Sequence, residues 1–233
     1  MQLQEKSIKG FNILELLVVI AIIGIISAVA YPNFSDWRKE RTARASTLKI
    51  KNLIQGINAQ VQRGLYAYVQ VLVENTNDSL TVTSKGMKMA TLTSKINDGA
   101  SKWNTDSTSR CDTDSVGYWD DDGSVDDIIE VMQIELENVT TNFTGGIGAV
   151  CFSKNARWYS GGGNFLSGTG SDASVDSILF ICTRNTDFPT CDIDESTGRP
   201  SIDHKNLFLV EWTRFGEVTM EKWNKRDSDW VLQ

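Results

Sequence analysis

One segment constrains this chain more than any other. From Phe11 to Ala30 it reads FNILELLVVIAIIGIISAVA, with Asn12, Glu15 and Ser27 as its only polar side chains. At about 1.5 Å per residue the run makes about 30 Å of helix, the thickness of a bilayer's hydrocarbon core. A helix that is apolar on all sides needs lipid or other apolar helices around it. No second run of this length follows, so the sequence predicts one N-terminal membrane segment and a water-soluble remainder.

Three readings compete for the segment. A secretory signal peptide would be cut at a small-x-small site, and Ala28-Val29-Ala30 before Tyr31 offers one. A plain signal anchor is the second, and a leader cut before the apolar run is the third. Glu15 separates them. A carboxylate inside a membrane helix costs on the order of 2.5–3.5 kcal/mol on insertion scales, so it calls for a specific partner. Signal peptides and simple anchors gain nothing from it. Arg38, Lys39, Arg41, Arg44, Lys49 and Lys51 follow the run, while only Lys6 and Lys9 precede it. The positive-inside rule taken alone would put the C-terminal side in the cytoplasm; the motif around Glu15 and the cysteines point outward.

The stretch Gly10-Phe11-Asn12-Ile13-Leu14-Glu15-Leu16-Leu17-Val18-Val19 resembles the cleavage and methylation motif of type IV pilins and pseudopilins. The resemblance implies cleavage after Gly10 by a prepilin peptidase and N-methylation of Phe11. It also implies that Glu15 faces the N-terminal amine of a neighbouring subunit, the partner its burial calls for. Asn12 stands where the family more often has threonine. Pro32 matches a proline that bends the pilin helix, as a helix-interior proline does by removing a hydrogen bond.

After Pro32 the helical pattern resumes. Phe34, Trp37, Leu48, Ile50, Leu53, Ile54, Ile57 and Val61 form a partly amphipathic stretch that ends near Arg63-Gly64, with glycine as C-cap. From residue 65 the chain reads as strands: Leu65–Val73, Leu80–Ser84, Ile128–Leu136, Gly148–Phe152, Val175–Thr183, Leu207–Thr213 and Glu217–Trp223, separated by turn signals. The expected fold class is α+β: a long kinked N-terminal helix packed on antiparallel sheets, as in the pilin fold. The expected divisions are a leader at 1–10, a transmembrane and filament-core helix at 11–31, its amphipathic continuation at 32–64 and a periplasmic β-rich domain at 65–233.

The C-terminal plan resembles the GspH/FimT-type minor pilins. The residues that carry this are Arg63-Gly64, Ala149-Val150-Cys151-Phe152, Gly161-Gly162, Leu179-Phe180-Ile181-Cys182 and the segment from Leu209 to Val218. DNA-binding members of that group carry a Gly-Arg-x-Arg motif after the final turn. Gly216-Glu217-Val218-Thr219 stands there instead. Lys plus Arg is 23 against 30 for Asp plus Glu, a net charge of −7. Both observations weigh against nucleic acid as partner, since phosphate binding needs local positive charge.

Cys111, Cys151, Cys182 and Cys191 have no C-x-x-C spacing, and with His204 as the single histidine the sequence argues against a Cys/His zinc cluster. In an exported domain four cysteines suggest two disulfides, of which three connectivities exist. Cys182–Cys191, across a short loop, with Cys111–Cys151 is the favoured set. Seven aspartates lie between Asp112 and Asp127. Their spacing fails the EF-hand pattern, which leaves Asp120, Asp122 and Asp126 as calcium candidates and a solvated acidic loop as the plainer reading. Of the seven tryptophans most are expected in the core, with Trp223 and Trp230 as candidates for exposure. No nucleophile pairs with His204 in a catalytic pattern.

The resemblance implies a non-enzymatic minor pilin or pseudopilin of a type IV pilus or type II secretion system, with no cofactor. It would wait in membrane lipid as a single-pass inner-membrane protein, its domain in the periplasm. An assembly platform would then draw it into a fibre beside other pilin subunits. A DNA-binding minor pilin, or a secreted periplasmic domain released after Ala30, are the alternatives.

Overall fold

The computed structural model describes residues 12–76, 78–105, 111, 118–119, 130–142, 147–154, 158–161, 166–167, 176–185, 189–194, 197–202, 204, 206–213 and 217–233. The chain forms two compact units, residues 1–39 and 40–233. Helix α1 (Ile13–Gln62) runs from the first into the second. Pro32 does not end it.

The remaining elements are β1 (Tyr68–Asn75), β2 (Ser79–Met87), α2 (Met89–Asn97), α3 (Lys102–Thr105), β3 (Glu130–Glu137), β4 (Val139–Thr141), β5 (Ile147–Ser153), β6 (Trp158–Gly161), β7 (Leu166–Ser167), β8 (Asp176–Thr183), β9 (Ile193–Asp194), β10 (Arg199–Pro200), β11 (Phe208–Trp212), β12 (Val218–Asn224) and β13 (Asp229–Leu232). Two sheets carry the second unit: sheet A in the order β3-β2-β1-β5-β6 and sheet B in the order β13-β12-β11-β8-β4, with every pairing antiparallel. Asn138, in the left-handed conformation at φ 61°, turns the chain from β3 of one sheet into β4 of the other. Asparagine tolerates that region better than most residues.

Period-two alternation explains the layering. On β1, Val69, Val71 and Val73 face a core shared with α1, while Tyr68 faces the opposite side. On β8, Leu179 and Ile181 face the same α1-bearing core, and Phe180 and Cys182 the reverse face. The second half of α1 contributes Ala43, Ile50, Ile54, Ile57 and Val61 to that core. Ser46 and Thr47 are buried beside them, and the Thr47 hydroxyl donates to the Ala43 carbonyl at 2.8 Å, so its burial leaves no unmade bond.

The amphipathic face therefore differs from the expected one. Leu48 is exposed, as are Phe34 and Trp37, whose rings lie 5.7 Å apart. One turn earlier on the helix, Ala43, Ser46 and Thr47 are buried instead. The seven expected strands are all present, with ends shifted by up to three residues. Ile128 and Ile129 lie outside the described residues. The helices α2 and α3 and strands such as β4 and β13 carry too few residues for periodicity to reveal them.

The end of α1 is a Schellman motif. The Leu65 amide donates to the Gln60 carbonyl at 3.1 Å and the Gly64 amide to the Val61 carbonyl at 3.0 Å, with Gly64 at φ 78°. A Cβ on Gly64 would meet nothing closer than Lys154 at 3.7 Å, so its substitution is penalised through conformation alone. Gly64→Ala should cost about 1 kcal/mol and lower the melting temperature by roughly 2–4 °C, read by circular dichroism of the full chain in detergent.

Candidate functional site

The first turn of α1 is built by Asn12. Its side-chain oxygen accepts the Leu14 amide at 3.3 Å and its carbonyl accepts the Leu16 amide at 3.1 Å, which makes Asn12 the N-cap. Asparagine and threonine are both N-cap residues, so the departure from the family's usual threonine preserves the local chemistry. Glu15 is exposed and falls at the third helical position, the acidic place of a capping box, where a carboxylate meets the positive end of the helix dipole. Gly10 and Phe11 lie outside the described residues.

Beyond Glu15 the helix shows apolar side chains on every face. Ile13 is 78% exposed and Ile26 62%, with Leu14, Leu16, Leu17, Val18, Val19, Ile20, Ile22, Ile23 and Ile25 exposed between them. Each leucine or isoleucine of this kind gains about 1.5–3 kcal/mol when fully covered. Among the described residues, no helix is long and apolar enough to cross a membrane. The run counted in the sequence begins at Phe11, and its last side chains, Val29 and Ala30, are likewise outside the described part.

Along the second half of α1, Arg38, Lys39, Arg41, Arg44 and Lys49 are exposed and Lys51 is half-buried. Glu40 pairs with Lys222 on β12, tying that turn of the helix to sheet B.

Disulfides join Cys111 to Cys151 and Cys182 to Cys191, and all four cysteines are buried. The first lies in the aromatic cluster of Tyr68, Trp103, Tyr118 and Trp119 on the face of sheet A away from α1. Trp103 donates from Nε1 to the Tyr118 carbonyl at 2.7 Å there. The second belongs to the cluster on the reverse face of sheet B, with Phe180, Leu207 and Leu209. Trp223 and Trp230 pack against this cluster, 5.2 Å apart and edge to face, and Trp230 Nε1 donates to the Gly198 carbonyl. They are half-buried rather than exposed, because cross-strand pairing on β12 and β13 sets one ring against the other. His204 accepts the Asp192 amide at Nε2, a structural bond beside Cys191.

Arg184 had no signal in the sequence. Its guanidinium donates to the carbonyls of Thr76 at 2.6 Å, Ser79 at 3.1 Å and Val139 at 3.2 Å, and to Asn75 Oδ1 at 2.9 Å. It thereby ties the β1–β2 turn of sheet A to β4 of sheet B. Burial pulls its pKa below the ordinary value, and Asp78 pulls in the opposite direction. Asp120, Asp122 and Asp126 lie outside the described residues. Among the described ones no group of three or more His, Cys, Asp or Glu could hold a metal. In the β11–β12 connection the Thr213 amide donates to the Glu217 carbonyl at 2.8 Å and the Glu217 amide to Thr213 Oγ1 at 3.2 Å, while Gly216 is outside the described part.

Two measurements test the energetics. In a loop-entropy account, replacing Cys111 and Cys151 together by alanine should cost about 4 kcal/mol, against about 2.5 kcal/mol for the Cys182–Cys191 pair. The separations behind those figures are 40 and 9 residues, and the order of the two melting temperatures is the check. Glu211 supplies the second. Burial, then the charges of Glu221 and Glu217, raise its pKa above the ordinary 4.5. The folded state holds this proton more tightly than the unfolded chain, so stability falls as pH rises from that value through the raised one. Glu211→Gln should melt with the parent at pH 4 and above it at pH 7; an equal gap at both pH values would contradict the linkage.

No family model matches the chain, and no solved structure matches it significantly. Curated relatives do. It is 31% identical over 122 residues to the fimbrial protein EcpC of Eikenella corrodens, covering 41% of this chain and 80% of that protein. It is 51% identical over 39 residues to the type IV major alpha-pilin of Moraxella bovis, covering 16% of this chain and 24% of the relative. Against the type IV major pilin PilE of Neisseria gonorrhoeae the figures are 43% over 53 residues, 23% of this chain and 29% of the relative. The chain thus spans most of the first protein's length and under a third of the other two. It belongs to the type IV pilin family of fimbrial proteins.

Proposed function

We propose that the chain is a structural, non-enzymatic subunit of a type IV pilus-like fibre, a minor pilin or pseudopilin made as a precursor. It is cleaved after Gly10 and methylated on Phe11. The observation that carries this reading is the first half of α1, apolar on every face and exposed throughout its described part, with one carboxylate in its first turn. Before assembly, lipid of the inner membrane covers Phe11–Ala30. In the fibre the same surface is covered by other pilin subunits, and apolar burial drives assembly. Glu15 then meets a neighbour's N-terminal amine and fixes the stagger between helices.

The prepilin peptidase and the inner-membrane assembly platform are the further partners of this reading, and the globular unit stands in the periplasm until extraction. The proteins matched are pilus subunits, which favours a pilus over a secretion pseudopilus. The strand order after Arg63-Gly64 supports placement near the GspH/FimT-type minor pilins. Glu217 and the charge of −7 count against DNA uptake.

Intact mass and N-terminal sequencing of the protein from membranes test the reading. An N-methylated Phe11 is expected. A start at Tyr31 would make Glu15 incidental and sink the fibre reading. Gly10→Val should leave the chain at precursor mass and out of surface fibres.

A further inference from the structure

Two exposed rings and a run of cations follow the apolar segment closely. Phe34 is 56% exposed and Trp37 51%, one turn apart on α1 with their centroids 5.7 Å from each other. Arg38 and Lys39 are exposed beside them, still within the first compact unit. Arg41 and Arg44, also exposed, continue the run at the start of the second. From Phe34 to Arg44 the sequence holds four cations against two carboxylates, Asp36 and Glu40. Glu40 is answered within the chain by Lys222, and Asp36 is exposed in the same turn as the rings. With both carboxylates counted, the stretch is still positive.

Distance along the helix decides what these side chains can meet. Counted from Ala30, the last residue of the apolar run, Phe34 lies about 6 Å and Trp37 about 10 Å further along the axis. The headgroup layer outside a bilayer's hydrocarbon core is about 5–8 Å deep on each side. Phe34 therefore falls where acyl chains give way to headgroups. Trp37 falls at the outer limit of that layer, where an apolar ring with one polar N–H is favoured. Arg38 and Lys39 branch from the axis about 12–14 Å past Ala30, yet helical side chains lean toward the N-terminus. Their long stems can lie along the rings and return the charges to the level of the phosphates. An acidic protein surface would meet the same cations, but it gives no reason for two rings at this depth.

We propose that Phe34, Trp37, Arg38 and Lys39 form a collar that seats the unassembled subunit on anionic phospholipid headgroups. The rings set the depth of the helix, and the two cations select lipids of net negative charge over zwitterionic ones. The inference rests on the membrane stage of the reading given above and adds the lipid class and the residues that hold it. It also gives the basic residues after the apolar run a role other than fixing topology.

The test reconstitutes the full chain into vesicles of mixed phosphatidylcholine and phosphatidylglycerol, with a trace of one or the other spin-labelled on its acyl chain. The motionally restricted fraction reports which lipid the helix holds. In the parent, phosphatidylglycerol should be enriched there about threefold or more over phosphatidylcholine, and high salt should shrink the excess. Arg38→Gln with Lys39→Gln should bring the ratio to about one. The charge-matched pair Arg63→Gln with Lys154→Gln, exposed near the far end of α1, should leave it unchanged. None of the described cysteines is free, so Ser35→Cys can carry a nitroxide as a depth probe. Adding Phe34→Ala with Trp37→Ala should raise its accessibility to a water-soluble nickel chelate about twofold; no change would overturn the role of the rings. A ratio of one in an embedded parent would overturn the collar, and so would an equal loss in the control pair. An Arg38 and Lys39 variant that keeps the parent's ratio but drops out of fibres would make an acidic neighbouring subunit the occupant. A chain washed from the vesicles at alkaline pH would instead bring down the membrane stage of the reading, and this inference with it.

Discussion

The structure depends on one helix having two different solvents. The second half of α1 buries Ala43, Ile50, Ile54, Ile57 and Val61 within its own chain. The first half leaves its apolar side chains uncovered. Burial at about 25 cal/mol per Å² of apolar surface is the dominant favourable term in folding and association alike. In the second half that term has been used to fold the globular unit. In the first it remains available, and only lipid or other chains can realise it. The proposed function follows the same logic: the part of the molecule that is unfinished alone would be the part through which subunits assemble.

Wrapping two sheets about a helix creates a second demand, because each sheet has a reverse face and the helix covers only one. The chain meets it locally. On sheet A an aromatic cluster is closed by Cys111–Cys151, and on sheet B a smaller cluster is closed by Cys182–Cys191. Each disulfide joins a cysteine on a strand, Cys151 on β5 or Cys182 on β8, to one outside the strands, Cys111 or Cys191. Arg184 acts at the corner where the sheets meet, donating at once to carbonyls of the β1–β2 turn and of β4. A guanidinium suits this place because its rigid fork of donors serves several acceptors at once.

What the sequence revealed follows from the range of each physical cause. The seven strands, the glycine stop at Gly64 and the apolar face from Ile50 to Val61 depend on neighbours within a few residues, and they were legible. Cysteine pairing was narrowed by loop length and then seen in the structure. Phe34, Trp37 and Leu48 were misread because apolar character alone cannot tell a core-facing residue from one presented outward. The buried face also includes Ala43, Ser46 and Thr47, which an apolar pattern does not pick out because they are small or polar. Arg184 was invisible since its acceptors, from Asn75 to Val139, are distant in sequence. Trp223 and Trp230 looked exposed beside lysines, yet only their cross-strand register brings the rings together.

Glu15 shows how much depends on depth along the helix. Placed at a bilayer centre, it would carry the full insertion penalty and demand a partner at all times. In the structure it occupies the first turn of the helix, and on the proposed reading it stands four residues after the mature N-terminus in the sequence. Insertion penalties fall toward the interface, and the helix dipole favours a carboxylate at this position. On the proposed reading a single subunit would thus tolerate Glu15 in lipid while it waits for assembly. In the proposed fibre the water and headgroups would be gone, and the charge would have only a neighbour's amine to answer it. The proposed pairing would gain its specificity from that difference: a stagger that misses the amine would leave a carboxylate among apolar helices, whereas the same carboxylate is acceptable before assembly.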